Sequence, residues 1–294
     1  MAGKAGLVLE GGAFRGVFTS GVIDVLLENG IEFDYVVGVS AGAGNGMGYL
    51  SHQEGRSREC IKPHDKKYNY YGISQISRSG QLLNLDRMFY DFPLKEIPYD
   101  FEALKNNPTK LELVVSNCET GKAEYHTGRC SKRRYLAFGK ASCSIPLLCE
   151  PVCVDGQYYL DGSICDSIPI QRALDQGCDR LVVVMTKSVR EMPTDYGKGS
   201  LGKLMKLRYG KQYPEFYKAL CNRTRMYAGQ VKLMQQLEAE GKLIVIRPTI
   251  AGIGKFEQDD DKIELFYRNG RREAKKHIKE IRRYSKYGAG YVSI

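Results

Sequence analysis

The sequence predicts an α/β fold of three layers, with a mainly parallel central sheet covered by helices on both faces. Three observations predict it. Short apolar runs alternate along the chain with longer helical patterns. The first two such runs, residues 5–9 and 35–39, flank one helical segment and so form a right-handed βαβ unit with parallel strands. Each of these strands ends in a glycine-rich turn that opens a helix, Gly11 to Gly16 and Gly38 to Gly42.

The elements follow in order. Residues 17–29 read as an amphipathic helix closed by Gly30. Residues 55–85 are polar and tyrosine-rich and predict no long element. Residues 111–117 and 122–126 read as a hairpin turning at Thr120-Gly121, and 152–154 with 157–160 as a second around Asp155-Gly156, a dipeptide suited to positive φ. Residues 134–142 predict a helix ending before Pro146. Residues 181–185 and 243–246 are apolar runs suited to buried parallel strands, and 199–240 and 257–286 read as helices. We expect a core over residues 5–187. A basic, helical part over 188–294 is expected to pack on the same domain and complete the sheet with strand 243–246.

A chain of 294 residues that is 43% hydrophobic and 27% charged is ordinary for a globular protein. No apolar run approaches the ~20 residues of a transmembrane helix, and no signal core precedes the first strand, so a non-secreted protein is expected. Nine cysteines without a C-x-x-C pair fit neither a disulfide framework nor a zinc site. Cys143, Cys149, Cys153 and Cys165 read as small buried hydrophobes in a reducing compartment. The net charge of +10 is uneven: Lys198 to Arg225 holds eight basic residues against Glu215 alone, and Lys262 to Lys286 ten against three. Such a field attracts phosphate-bearing partners, and it also describes a solvated face. Leu201, Leu204, Met205 and Leu207 interleave with Lys203, Lys206 and Arg208, the pattern of a peripheral contact with an anionic membrane.

Gly38-Val39-Ser40-Ala41-Gly42 matches the G-x-S-x-G elbow in a strand–turn–helix context. A tight turn projects the Ser40 hydroxyl clear of the sheet, while Gly38 and Gly42 remove Cβ atoms that would collide with strand and helix. Glu10-Gly11-Gly12-Ala13-Phe14-Arg15-Gly16 exposes consecutive amides to an anion. The third position of a dinucleotide fingerprint is Ala13 rather than glycine, and no P-loop lysine follows. The elbow on the next strand favours the oxyanion of an acyl intermediate. The four histidines, His52, His64, His126 and His277, lie in polar stretches without a motif and read as surface residues. The better general base is Asp161, in Tyr159-Leu160-Asp161-Gly162-Ser163, where burial would raise its basicity.

Together these residues resemble the patatin-like phospholipase family. Gly11 to Gly16 is similar to its G-G-G-x-R-G loop, Gly38 to Gly42 to its elbow, and Asp161-Gly162-Ser163 to its D-G-[GA] motif. Ala141-Ser142-Cys143-Ser144-Ile145-Pro146 resembles the A-S-x-A-x-P stretch upstream of the aspartate, and Asp166 to Pro169 a following D-x-I-P. The resemblance implies a Ser40–Asp161 dyad without histidine, metal or other cofactor, acting on lipid acyl esters. It implies oxyanion amides from Gly11, Gly12 and Ala13, with Arg15 bracing the loop and Gly16, Gly38, Gly42 and Gly162 as supporting motif residues. Two departures stand out: Ala13 in place of glycine is expected to narrow the hole or forbid a positive φ, and Ser163 to bond Asp161 and lower its basicity. The alternatives are a weak or silent scaffold, or a nucleotide- or anion-binding protein using the 11–16 loop. A cytoplasmic location, peripheral at the membrane, is expected, with no nucleic-acid partner.

Overall fold

The computed structural model describes residues 3–188 and 191–286; residues 189–190 and 287–294 of the C-terminal part lie outside the described residues. One sheet contains β1 (Lys4–Leu9), β2 (Tyr35–Val39), β3 (Lys110–Asn117), β4 (Ala123–Thr127), β5 (Val152–Val154), β6 (Gln157–Asp161), β7 (Cys178–Val184) and β8 (Leu243–Ile246). Its order is β5-β6-β3-β2-β1-β7-β8, with β4 paired to β3. Pairings among β3, β2, β1, β7 and β8 are parallel, and those of β4, β5 and β6 are antiparallel. The helices are α1 (Gly16–Glu28), α2 (Ala41–Leu50), α3 (Arg56–Ile61), α4 (Ile73–Ser79), α5 (Phe101–Asn106), α6 (Lys132–Ser142), α7 (Ile170–Asp175), α8 (Gly199–Tyr209), α9 (Pro214–Ala239), α10 (Asp260–Lys276) and α11 (Ile278–Tyr284).

Strand alternation builds the three layers. Leu7, Leu9, Val36 and Val184 face a core that includes Val17 and Phe18 of α1, Met47 of α2 and Phe266 of α10. Val8, Val37, Val39 and Val183 face the other way, onto Ile170 of α7 and Tyr227 and Met234 of α9. Both faces are therefore covered, and the strands read as continuous apolar runs.

Three local expectations change. The first helix is not amphipathic: Gly16 through Leu26 are all buried, because α10 covers its outer side. A Cβ on Gly21 would lie 2.3 Å from the Tyr267 carbonyl oxygen, and one on Gly270 would lie 2.1 Å from that of Phe18. The 199–240 helix breaks into α8 and α9, with Pro214 in the first turn of the second. The 257–286 helix likewise divides at His277.

The register of β3 matters most for the site. One of its edges carries β4. Along the other, β2 pairs as far as Val39 opposite Val114, and β6 takes over with Asp161 opposite Val115. The residue after the end of β2 is Ser40. Two side chains 121 positions apart are thus brought to adjacent places on one strand by hydrogen-bond register.

Candidate active site

Ser40 sits between β2 and α2 with φ 55° and ψ −124°, a backbone region that β-carbon sterics disfavour and that carries a strain of roughly 1–3 kcal/mol. The surroundings enforce it. A Cβ on Gly42 would lie 2.3 Å from the Leu9 carbonyl oxygen, and one on Gly38 would lie 2.5 Å from that of Gly42, so strand and helix meet only through glycine. The Ser40 amide donates to Ser142 Oγ at 2.9 Å, and the Ala43 amide donates to the Ser40 carbonyl at 2.8 Å. Ser142 closes α6, and it gives the Ala141–Pro146 stretch a physical role: it anchors the elbow from the neighbouring helix.

The glycine loop lies against this turn. A Cβ on Gly11 would approach Ser40 Cβ to 2.9 Å, one on Gly12 would strike Thr186 Oγ1 at 2.5 Å, and one on Gly16 would strike Ala41 Cβ at 2.6 Å. The amides of Gly11, Gly12 and Ala13 donate to no acceptor among the described residues, and all three residues line the cavity at Ser40. Ala13 takes φ 51°, which corrects the expectation that its methyl forbids a positive φ. The strain is held by bonds on both sides: the Phe14 amide donates to the Lys255 carbonyl at 3.0 Å, and the Arg15 amide to the Gly12 carbonyl at 3.1 Å. Arg15 ties the loop to a distant segment, with Nε donating to the Ile253 carbonyl at 2.7 Å and Nη2 3.5 Å from Glu191. Glu10, at the end of β1, is buried in an ion pair with Lys187 and accepts from Thr186 N at 2.7 Å and Tyr227 Oη at 3.0 Å.

Asp161 is the last residue of β6 and is 4% exposed, against 5% for Ser40. Gly162 lets the chain turn beside it, since a Cβ there would lie 2.2 Å from the Val114 carbonyl oxygen. Burial raises the Asp161 pKa above the ordinary carboxylate value. The Ser163 amide, the Ser40 and Ser163 hydroxyls and the Arg223 charge pull it back without cancelling the rise. The Ser163 amide bond is 2.8 Å long. The result is a buried carboxyl that shares a cavity with Ser40 and is more basic than one in water.

Two cavities meet at Ser40. One, of about 300 Å³, is polar and holds Asp161, Arg15, Lys187, Arg223 and Lys255. The other, of about 30 Å³, is apolar and lined by Phe14, Ile61, Leu83, Met88 and Phe256 among others. None of the four histidines lines either cavity. His126 is half-buried rather than a surface residue, because its ring stacks on Phe138 at 3.6 Å and meets Tyr159 edge-on. Cys143 and Cys149 are buried, whereas Cys153 is exposed and Cys165 half-buried. Cys153 is the middle residue of β5, between the inward Val152 and Val154, so strand alternation turns it outward. Among the described residues no group of His, Cys, Asp and Glu side chains gathers to hold a metal. No sequence motif marks Arg223, Lys255 or Phe256. Lys255, isolated after Gly252 and Gly254, carried a weak signal as a cation in a glycine loop; Arg223 carried none.

A mainly parallel sheet presenting a strained serine at a strand–helix turn, next to a buried carboxylate and a glycine loop, defines an α/β protein of the nucleophile-elbow class. The patatin-like phospholipase family model matches residues 7–174, more than half of the chain, and the chain belongs to that family. Residues 213–286 match a second family, described as a domain of unknown function, DUF6363. YjjU of Escherichia coli, an uncharacterized protein, is 30% identical over 63% of this chain and 52% of its own length. Lysophospholipase NTE1 of Coccidioides immitis is 26% identical over 69% of this chain, and that of Yarrowia lipolytica 25% over 98%. The chain spans about half the length of YjjU and 13% and 20% of the two lysophospholipases. The crystal structure of VipD from Legionella pneumophila superposes with a TM-score of 0.53 at 15% identity, covering 95% of this chain and 67% of VipD, a likeness of fold.

Proposed function

We propose that this chain is a serine acyl hydrolase that cleaves carboxylic esters of lipids, of the phospholipase A or lysophospholipase type. One observation carries the reading: where a polar and an apolar cavity join, Ser40 and the buried, basicity-raised Asp161 carboxyl line one cavity, with the Ser40 hydroxyl near enough to draw the carboxyl pKa down. Ser40 Oγ attacks the ester carbonyl carbon while Asp161 takes its proton. The carbonyl oxygen becomes an oxyanion against the amides of Gly12 and Ala13, each contributing about 3 kcal/mol to lowering the barrier. The intermediate collapses, Asp161 returns the proton to the departing alcohol, and an acyl-Ser40 ester remains. Water attacks that ester and gives a proton to Asp161; the second intermediate collapses, Asp161 passes that proton to the departing Ser40 Oγ, and the carboxylic acid leaves.

The strained Ser40 backbone supports the same reading, because such strain collects where function requires a side chain to be held in place. Family membership and the lysophospholipase relatives support a lipid ester as substrate. Replacing Ser40 by Ala is expected to abolish hydrolysis of a short p-nitrophenyl ester without altering the melting temperature; retained turnover would refute the assignment.

The protein is further proposed to touch anionic membranes peripherally through α8. Leu204 and Leu207 are exposed, the latter at 82%, and stand beside exposed Lys203 and Lys206. Met205 is buried and does not belong to this face. Among the described residues no helix is long and apolar enough to cross a membrane. The nine free thiols support a reducing, cytoplasmic setting. Co-sedimentation with anionic vesicles at low salt, lost in Leu207→Asp, is the expected outcome; equal recovery of both proteins would remove α8 from the contact.

A further inference from the structure

The segment matching a domain of unknown function supplies the walls that the patatin-like core lacks on both sides of Ser40. Residues 253–256 form a strap over the glycine loop, fixed by the Arg15–Ile253 and Phe14–Lys255 bonds. The Phe256 ring stacks on Tyr71 at 4.5 Å and meets Phe14 edge-on at 5.7 Å. Phe256 thereby lines the apolar cavity, and its neighbour Lys255 lines the polar one. The division orients an ester: the acyl carbons enter the apolar side, and the alcohol half occupies the polar side.

Charge in the polar cavity does not balance among the described residues. Glu10 is paired with Lys187, and Glu191 with Arg15. Asp161 is left facing two cations, Arg223 and Lys255. Arg223, 7% exposed, donates only to neutral acceptors: the Ser163 carbonyl at 2.8 Å, Ser163 Oγ at 3.1 Å and the Thr194 carbonyl at 3.3 Å. Lys255 Nζ donates to Thr194 Oγ1 at 2.7 Å, which leaves two of its three N–H donors for a ligand. When Asp161 accepts the Ser40 proton it becomes neutral, and the two cations then face the substrate without a counter-charge.

The geometry points to an anion receptor: Lys255, backed by Arg223, binds a phosphoryl group on the alcohol half of the substrate, so that the site selects phosphate-bearing esters over neutral ones. The inference rests on the Ser40–Asp161 hydrolase reading and names the substrate class of that site. A lysine with free donors is a common phosphate binder, and a phosphate monoester carries roughly two negative charges at neutral pH. Burial, together with the charges of Arg223 and Lys187, pushes the Lys255 ammonium down to about 8; an arriving anion relieves that penalty.

The test compares 1-butyrylglycerol with 1-butyrylglycerol 3-phosphate, both monomeric in water and differing in the phosphoryl group alone. In the intact protein kcat/KM is expected to favour the phosphate ester by about tenfold or more, the size of one charge-assisted hydrogen bond. Lys255→Met is expected to erase that ratio and Lys255→Arg to restore most of it. Glycerol 3-phosphate should inhibit competitively, with inorganic phosphate weaker and glycerol without effect. Equal inhibition by inorganic phosphate would locate the receptor's preference in a free anion and overturn the substrate assignment. Equal rates for the two esters in the intact protein, or equal losses for both in Lys255→Met, would also overturn it. If neither ester is turned over, the hydrolase reading fails. Binding of glycerol 3-phosphate to the Ser40→Ala protein, measured by calorimetry with and without Lys255→Met, still decides the receptor: loss of binding with the lysine supports it, and no binding or equal binding ends it.

Discussion

A cation held half-buried without a carboxylate partner is expected to cost folding free energy, and Lys255→Met measures that cost. Methionine keeps most of the aliphatic stem and removes the charge. Moving the ammonium from its ordinary 10.5 to about 8 corresponds to about 3 kcal/mol of disfavoured charging in the folded state. Loss of the bond to Thr194 Oγ1 offsets about 1 kcal/mol, and residual solvent contact reduces the gain further. The variant should therefore be more stable by about 1–2 kcal/mol at pH 7. The pH dependence has a fixed sign. Between about pH 8 and 10.5 the unfolded chain still holds the proton that the folded protein has released, so the wild type gains stability across that window. Below pH 8 the penalty is present in full. Paired urea titrations at pH 7 and pH 10 should show the advantage of Lys255→Met shrinking toward zero or reversing. A variant less stable than wild type at pH 7, or an advantage independent of pH, would refute the claim that the lysine is held as an uncompensated charge.

Three further outcomes are expected. Met88 lines both the apolar cavity at Ser40 and a neighbouring one walled by Met47, Phe89 and Leu136; Met88→Ala should join them and raise kcat/KM for decanoyl over butyryl p-nitrophenyl esters several-fold, whereas an unchanged chain-length profile would remove the acyl chain from this cavity. Ser142→Ala deletes the acceptor of the Ser40 amide and should lower kcat about tenfold, with KM little changed, a cost of about 1.4 kcal/mol in positioning; a pure KM effect would contradict this. Asp161→Asn should abolish turnover, and in the wild type kcat/KM should rise with pH through an ionisation above the ordinary carboxylate range, since burial raises that group and only its ionised form accepts the Ser40 proton; a rate flat from pH 4 to 8 would exclude Asp161 as the base.

The elements around Ser40 were legible because their signals are local. Alternating apolar runs mark β1 and β2, small residues mark the close approach of strand and helix, and Asp155-Gly156 marks the β5–β6 turn, where both residues take positive φ. The same signals mark the hairpin β3–β4 and strand β8. What stayed hidden depends on the path of the chain. The burial of α1 on all sides requires α10, some 240 residues later, to lie on Gly21. The apposition of Ser40 and Asp161 was inferred from motifs, but its cause, β6 continuing the edge of β3 where β2 stops, is a register and leaves no pattern in either segment. Arg223 looks like any helical arginine until Ser163 and Thr194 are brought against it. His126 illustrates the converse, a polar residue whose ring is half-buried by stacking on a neighbouring helix.

The proposed nucleophile is the Ser40 hydroxyl, activated by Asp161. A fluorophosphonate probe followed by peptide mass mapping tests it most directly. One covalent adduct on Ser40 is expected, absent in Ser40→Ala and strongly slowed in Asp161→Asn. An unlabelled Ser40 in folded protein, or an adduct that forms equally fast without the Asp161 carboxylate, would contradict it.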